Sequence, residues 1–354
     1  MKRRFSDSPV RLRSYLAFGY ALLIAYVSLT PFTGWQEQGL SFREVLVAPL
    51  MQTYTWSDAL LNLLAYLPFG LLLGLYLREH TNWLASVVGA TVLGGLLSGL
   101  MEFAQMYLPS RTSSNLDLLT NLLGTLGGAL LAVSIAPRAW YALHLTDLRR
   151  KLFVDTRGAE FGLSLVALWM FAHINPSLPL LGSEFIAQSL PAPFVPQTES
   201  PFDPAQGVAV MLNLTMLGGL LLTLLRERRH ALLMLVLILV VVMLAKFVAA
   251  ALLLKSWALL LWLKSEAVLG MLVGALLLSA LASAPRGWLL ALMAFSVFAY
   301  LGLTNLLLDS GNPAATLRLY QWRYAHLLNY NGLTQSAGMA FPLLLLAYLW
   351  RIRR

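Results

Sequence analysis

The sequence predicts an all-α, polytopic transmembrane bundle of about ten helices, and three observations carry that expectation. Hydrophobic residues make up 58% of the 354-residue chain and charged residues only 12%, against about a quarter charged in soluble domains. Apolar runs recur that are long enough to cross a hydrocarbon core of about 30 Å, each needing roughly 20 helical residues. The basic residues gather between these runs rather than within them. Because backbone groups in lipid must be satisfied within their own segment, the runs are read as helices.

A basic, polar start precedes the first run at residues 14–30, which closes on Pro31. That run is longer than the apolar core of a signal peptide, so it is expected to stay as helix 1, N-terminus inside. Residues 33–55, with Trp35 and Tyr54, suit an outer connection with interfacial aromatics. Helix 2 is expected over 57–77, helix 3 over 83–107, an outer turn over 108–115 and helix 4 over 116–135. The stretch 136–158 carries Arg138, Arg149, Arg150, Lys151 and Arg157 and is expected in the cytoplasm. Helix 5 follows over 159–178, helix 6 over 207–225, helix 7 over 231–254, helix 8 over 266–284, helix 9 over 288–308, and helix 10 ends in the basic C-terminus. The outer loop 309–334 holds Arg318 and Arg323. Both termini fall inside. Of the 25 Lys and Arg, 18 lie in predicted inner segments and 6 in outer ones, which is the asymmetry expected of an inner-membrane protein.

The formal charge of +9 resembles a nucleic-acid signal, yet its placement at helix ends fits membrane orientation better, and no nucleic-acid partner is expected. With no cysteine, disulfides, thiolate metal sites and cysteine nucleophiles are excluded. No cofactor or metal is expected, since no histidine joins the acids described below.

Four regions are expected: 1–135 as one four-helix unit, 136–158 as a basic linker, 159–287 as a degenerate second four-helix unit, and 288–354 as two further helices. The second unit rests on an internal echo. Asn62 precedes the glycines of helix 2 as Asn213 precedes Gly218 and Gly219 of helix 6, and APRAW at 136–140 is answered by APRGW at 284–288. Two units of four helices each would be parallel repeats. Shared low-complexity composition among leucine-rich helices explains the same echo.

Polar residues inside the apolar runs are costly, about 2.5–3.5 kcal/mol for each charge on insertion scales, so their clustering asks for a cause. The richest cluster spans 98–128. Glu102 and Gln105 share a helix face; Asp117 and Asn121 share another with Gly124 and Gly128; Pro109 and Arg111 lie in the turn between. In the predicted topology Asp58 and Asn62 of helix 2 join them near the outer surface, Glu102 lying roughly 7 Å from its helix end. Two explanations stand. Asp58 and Asp117 are first-turn acids and Glu102 pairs with Arg111 as a salt bridge, or the seven residues form a pocket for a headgroup or ion. Gly70 and Gly74, Gly95 and Gly99, and Gly124 and Gly128 are small residues four apart that permit close helix approach. In the second half Lys246, well inside helix 7, either snorkels outward or pairs with a carboxylate. With Lys255 and Glu266 it completes the candidates there.

The order Asp58, Asn62, LPFG at 67–70 and MEFAQMYLPSRTSSNLDLLTNLLGTLGG at 101–128 resembles the VanZ-like family of bacterial integral membrane proteins, over about residues 14–135. The resemblance implies placement in the cell envelope and carries the motif positions Asp58, Asn62, Glu102, Gln105, Arg111, Asp117 and Asn121. The family takes its name from a protein associated with low-level resistance to teicoplanin and has no settled biochemical activity. The second half departs from the motif, with Lys246 where Glu102 would stand. The expected function is recognition or handling of an envelope lipid or lipid-linked glycan at the outer face, affecting glycopeptide sensitivity. A small-solute or ion transporter using the carboxylates, and a lipid-modifying enzyme, stay open beside it. Catalysis is the less favoured of these, because no nucleophilic histidine falls near the outer acids.

Overall fold

The computed structural model describes residues 8–30, 32–39, 41–49, 56–135, 148–149, 151–154, 156, 158–182, 185–186, 202–306, 308, 319–321 and 325–353. Among them the fold is helical, with two isolated β-bridges. Eleven α-helices follow in order: α1 (Ser8–Leu29), α2 (Phe42–Val47), α3 (Trp56–Arg78), α4 (Trp83–Gln105), α5 (Asn115–Ile135), α6 (Ala159–His173), α7 (Pro204–Leu224), α8 (Ala231–Leu253), α9 (Ser265–Ala282), α10 (Arg286–Leu306) and α11 (Ala325–Arg353). Nine are long and apolar enough to cross a membrane, and α6 is a shorter apolar helix. The chain folds as two compact units, Met1–Arg149 and Arg150–Arg354. The predicted linker 136–158 falls mostly outside the described residues, as do Arg318 and Arg323.

Besides earlier starts of α1, at Ser8, and of α11, at Ala325 inside the loop expected over 309–334, two differences from expectation have identifiable reasons. The outer connection contains α2, a six-residue helix started by a capping box in which Ser41 and Glu44 exchange side-chain and backbone hydrogen bonds. Those bonds, the one from the Ser41 backbone first, hold the Glu44 carboxyl below its usual range. One and a half turns are too short to show an apolar period. The predicted helix at 159–178 stops at His173, because Pro176 disfavours the helical conformation at Asn175 and lacks the N–H a further turn needs. The chain beyond stays buried through residues 175–182, with Leu181 in the left-handed region at φ 60°.

In the first unit α3 and α5 form the closest pair, with α4 against both. Glycine makes that approach possible. A Cβ built at Gly128 would stand 2.0 Å from the Leu67 carbonyl oxygen, one at Gly70 2.0 Å from that of Thr125, and one at Gly124 2.3 Å from that of Leu63. On α4 it is Gly94, against the Thr125 side chain, that meets α5 most closely, while Gly99 faces open space. Helix α1 packs on α3 and α4 through Ile24, beside Tyr66, Phe69 and Met101. Near its other end Arg13 donates to the Leu75 carbonyl and pairs with Glu79.

The second unit is arranged around α7. That span is 83% buried, whereas the other eight range from 11% to 39%. Helix α9 packs on it through glycines again, Gly270 against the Gly207 carbonyl and Gly274 against Leu214. Helices α6, α8 and α10 also contact α7, and α11 packs on α6 and α10. Outward faces are lined by leucine, valine and phenylalanine, Leu244, Leu276 and Phe298 among them, the surface a lipid-facing helix requires.

The glycine contacts make a discriminating prediction. Gly128→Ala should destabilise the first unit by about 1–3 kcal/mol, because an added methyl must push α3 from α5. Gly127→Ala, one residue away with nothing within 4 Å of its Cβ position, should leave thermal unfolding in detergent unchanged or slightly improved.

Candidate functional site

The polar cluster is set by where α4 ends and α5 begins. Helix α4 runs out at Gln105, three residues before Leu108 and Pro109, and Ser114 starts α5 by accepting the Leu116 N–H on its hydroxyl. Glu102, one turn before the end of α4, accepts the Ser114 N–H at 2.8 Å and the Ser113 hydroxyl at 3.0 Å. The carboxylate thus fixes the turn that leads into α5. It is 4% exposed and forms no ion pair with a described residue.

Arg111 is turned elsewhere. Its Nε donates to the Thr30 carbonyl at 3.1 Å, and its Nη2 to the carbonyls of Val27 at 2.8 Å and Thr30 at 2.9 Å. Gln105 donates to the Ser28 carbonyl at 2.9 Å. The Val27 and Ser28 oxygens belong to the last turn of α1 and that of Thr30 lies just past it, where no further helical N–H is available to receive them. A positive group is also favoured there by the helix dipole. Burial lowers the affinity of the Arg111 guanidinium for its proton, yet an arginine stays charged in proteins. The expected Glu102–Arg111 salt bridge is therefore replaced by two separate attachments, the acid to the 113–114 turn and the base to α1.

Asp117, 8% exposed in the first turn of α5, accepts from the Asn62 side-chain amide of α3. It also lies within electrostatic reach of Glu102. One turn deeper, Asn121 donates to the Ser98 hydroxyl at 2.9 Å. The Asn121 Oδ1 is buried without a hydrogen-bond partner among the described residues, and the Tyr66 hydroxyl is buried beside the Ser98 side chain. Both Glu102 and Asp117 act electrostatically on that tyrosine. The structure thus brings together Asn62, Glu102, Asp117 and Asn121, and puts Gln105 and Arg111 on the neighbouring end of α1. Asp58 lies in the first turn of α3, and its side chain is outside the described residues.

Ser98 and Tyr66 were not anticipated. Ser98 had a signal, since it precedes Glu102 by four residues on the same face of α4. Tyr66 stands four beyond Asn62 in the same way, concealed among apolar neighbours.

The three second-half candidates do not converge. Lys246 is fully buried and donates to the carbonyls of Asn175 at 2.6 Å and His173 at 3.2 Å. It serves the ending of α6, and no carboxylate of a described residue pairs with it. Glu266 accepts the Asp203 N–H at 3.2 Å ahead of α7, and Lys255 is exposed in the loop after α8. No hydrogen bond or ion pair joins the three. Around Lys246 lies a neutral network that sequence alone did not indicate. Trp169 donates to Asn213 at 2.6 Å, Asn213 to His173 at 2.9 Å, and His173 Nδ1 lies 2.7 Å from the Trp169 carbonyl. Asn175 donates to Asn331 at 2.9 Å and to Thr334 at 2.7 Å, and Tyr320 donates to Asn331 at 2.7 Å.

These features define a multi-pass helical membrane protein with a buried, carboxylate-bearing polar cluster in its first unit. Residues 6–136 match the family model described as VanZ/LLP1, so the first unit is VanZ-like; the match ends with α5 and leaves the second unit outside it. No curated protein and no solved structure matches the chain.

The attachment of α1 supplies a test. Arg111→Ala should lower stability in detergent by about 2–4 kcal/mol, since it leaves the Val27 and Thr30 carbonyls without their donor. Arg111→Lys should recover only part, because one ammonium cannot reproduce the planar fork that reaches both. Thermal unfolding of the purified variants checks both.

Proposed function

We propose that the VanZ-like unit recognises an envelope lipid or a lipid-linked glycan through the cluster at the α4–α5 turn, and that the protein influences glycopeptide sensitivity by that route. The single observation that carries this is the surplus of acceptors. The Glu102 carboxylate forms no ion pair with a described residue, Asp117 lies within its field, and Asn121 Oδ1 is buried without a donor among the described residues. Sugar hydroxyls and headgroup amines are donors of the kind such a cluster accepts. Buried acceptors left without a donor cost free energy that a bound donor returns. The distribution of Lys and Arg supports an inner-membrane location with both termini cytoplasmic, which turns the α4–α5 end outward.

Glu102→Gln keeps the size of the side chain and an acceptor for the Ser114 N–H while removing its charge. Native mass spectrometry of the purified protein should show co-purifying lipid or lipid-linked glycan on the wild type and markedly less on Glu102→Gln, with unfolding temperature little changed. Equal retention by the two would overturn the proposal.

A second function, small-solute transport, is favoured by α6. Its 15 residues span about 22 Å, short of a 30 Å core, and the buried non-helical chain that follows is held by Lys246. Interrupted helices with exposed carbonyl ends are the places where transporters bind ions and substrates. Proteoliposomes separate the two functions: Lys246→Met should abolish solute flux if this second function holds, and leave lipid retention at the first unit intact.

A further inference from the structure

The second unit contains a cavity of about 660 Å³ in which the sequence's scattered arginines meet. Arg226 and Arg228 follow the end of α7, Arg286 begins α10, and Arg351 lies in the last turn of α11; Thr223 and Tyr348, hydrogen-bonded together at 2.8 Å, share the wall. A bias of basic residues toward one membrane face accounts for arginines at these helix ends. It does not account for four of them lining one concavity with no carboxylate among the described lining residues.

Two described acids lie close in sequence to lining residues: Glu160, buried in the first turn of α6, is not itself among them, and Glu227 is engaged elsewhere. Glu227, between Arg226 and Arg228 in sequence, pairs with Arg229 at 2.6 Å and faces His230 at 3.7 Å. None of the four lining arginines forms an ion pair with a described residue. Three are instead positioned by carbonyls: Arg226 by Phe153 at 3.0 Å, Arg228 by Ala284 at 2.7 Å and Arg286 by Ile352 at 2.9 Å. Each such bond uses one of five guanidinium donors and leaves the rest of the fork available. Arg351 makes no hydrogen bond or ion pair with any described residue. Val154 and Leu225 also line the cavity, where Phe153 and Leu225 form a β-bridge and Val154 donates to the Leu224 carbonyl at 2.8 Å.

Four like charges around one space repel one another, and an anion between them removes that cost. Guanidinium forks match phosphate oxygens in pairs, and arginine is the side chain that binds phosphate by shape as well as by charge. The volume lies within the range of small-molecule sites. Leu222, Leu289 and Ile352 add an apolar part of the wall, so an apolar portion attached to the phosphate is also accommodated. Helices of two directions end here, α7 and α11 finishing where α6 and α10 begin, which puts the cavity at the level of lipid headgroups if these helices span the bilayer.

We propose that this cavity binds a phosphate-bearing anion, either the phosphodiester of an anionic lipid headgroup or soluble phosphate.

The test uses the full-length protein, purified in detergent and stripped of lipid. Two probes are applied: phosphatidylglycerol, read by native mass spectrometry against phosphatidylcholine, and inorganic phosphate, read by thermal unfolding against chloride at equal ionic strength. Selective retention of phosphatidylglycerol without a phosphate effect identifies the headgroup as the source, and a phosphate effect alone identifies the soluble anion. In either case Arg286→Gln and Arg351→Gln should each weaken binding about tenfold, as loss of one charged hydrogen-bonding group does. Arg353→Gln, on the same helix as Arg351 but outside the cavity, should bind as the wild type does. If Arg286→Gln unfolds through loss of its bond to Ile352, Arg351→Gln decides, because it breaks no existing bond. The proposal is overturned if neither probe binds, if Arg351→Gln binds as tightly as wild type, or if Arg353→Gln weakens binding equally.

Discussion

Helix-end carbonyls have nowhere to turn in a bilayer, and this chain spends its few charged and amide side chains on them. Three hydrogen bonds from Arg111 and one from Gln105 serve the end of α1, at Val27, Ser28 and Thr30 just past it. The buried ammonium of Lys246 serves the broken end of α6. Arg228 serves Ala284 just past α9, and Arg286 serves Ile352 in the last turn of α11. In water these oxygens would be hydrated at little cost; in hydrocarbon each unserved group costs several kcal/mol. The cost of burying a cation is lower where it meets carbonyls at the negative end of a helix dipole. Much of what reads in the sequence as an array of potential ligands is therefore structural attachment, and the acceptors that remain near Glu102 stand out because the basic residue beside them is already occupied.

The two units solve their packing in the same way. In each, an inner pair of helices meets through glycines, α3 with α5 and α7 with α9, and the later helix of the pair carries an acid in its first turn that accepts from the region of the earlier one: Asp117 from Asn62, Glu266 from the Asp203 N–H. That parallel lies in how the helices pack, and the units part in their polar groups. In the first unit the polar cluster centres on carboxylates. In the second the corresponding third helix brings Lys246, and its neighbours Asn175, Asn213 and His173 are neutral hydrogen-bonding groups.

What the sequence made legible follows the periodicities that physics imposes. Asp117 with Asn121, and Gly124 with Gly128, were legible because residues four apart share a helix face whatever the helix touches. The number of helices was legible because bilayer thickness sets their length. The partner of Arg111 was not, since a carbonyl oxygen belongs to every residue and carries no signature; a carboxylate nine residues away looked the better partner. Gly94 was passed over for Gly99 because spacing identifies small residues without saying which of two adjacent faces meets a neighbour. The early stop of α6 was written in Pro176, but the apolar run continuing past it concealed the break.

The burial of α7 bears on how the second unit comes to be made. A helix 83% covered in the finished fold leaves the ribosome before α8 through α11, which supply much of its cover. Until they arrive, Asn213 can already bond Trp169 and His173 of α6, but the glycine faces that end against Leu278 and Met293 lie open to lipid. The central helix enters with much of its cover still to come, and a chain halted before α9 would keep its polar contacts to α6 while its packing faces stayed bare.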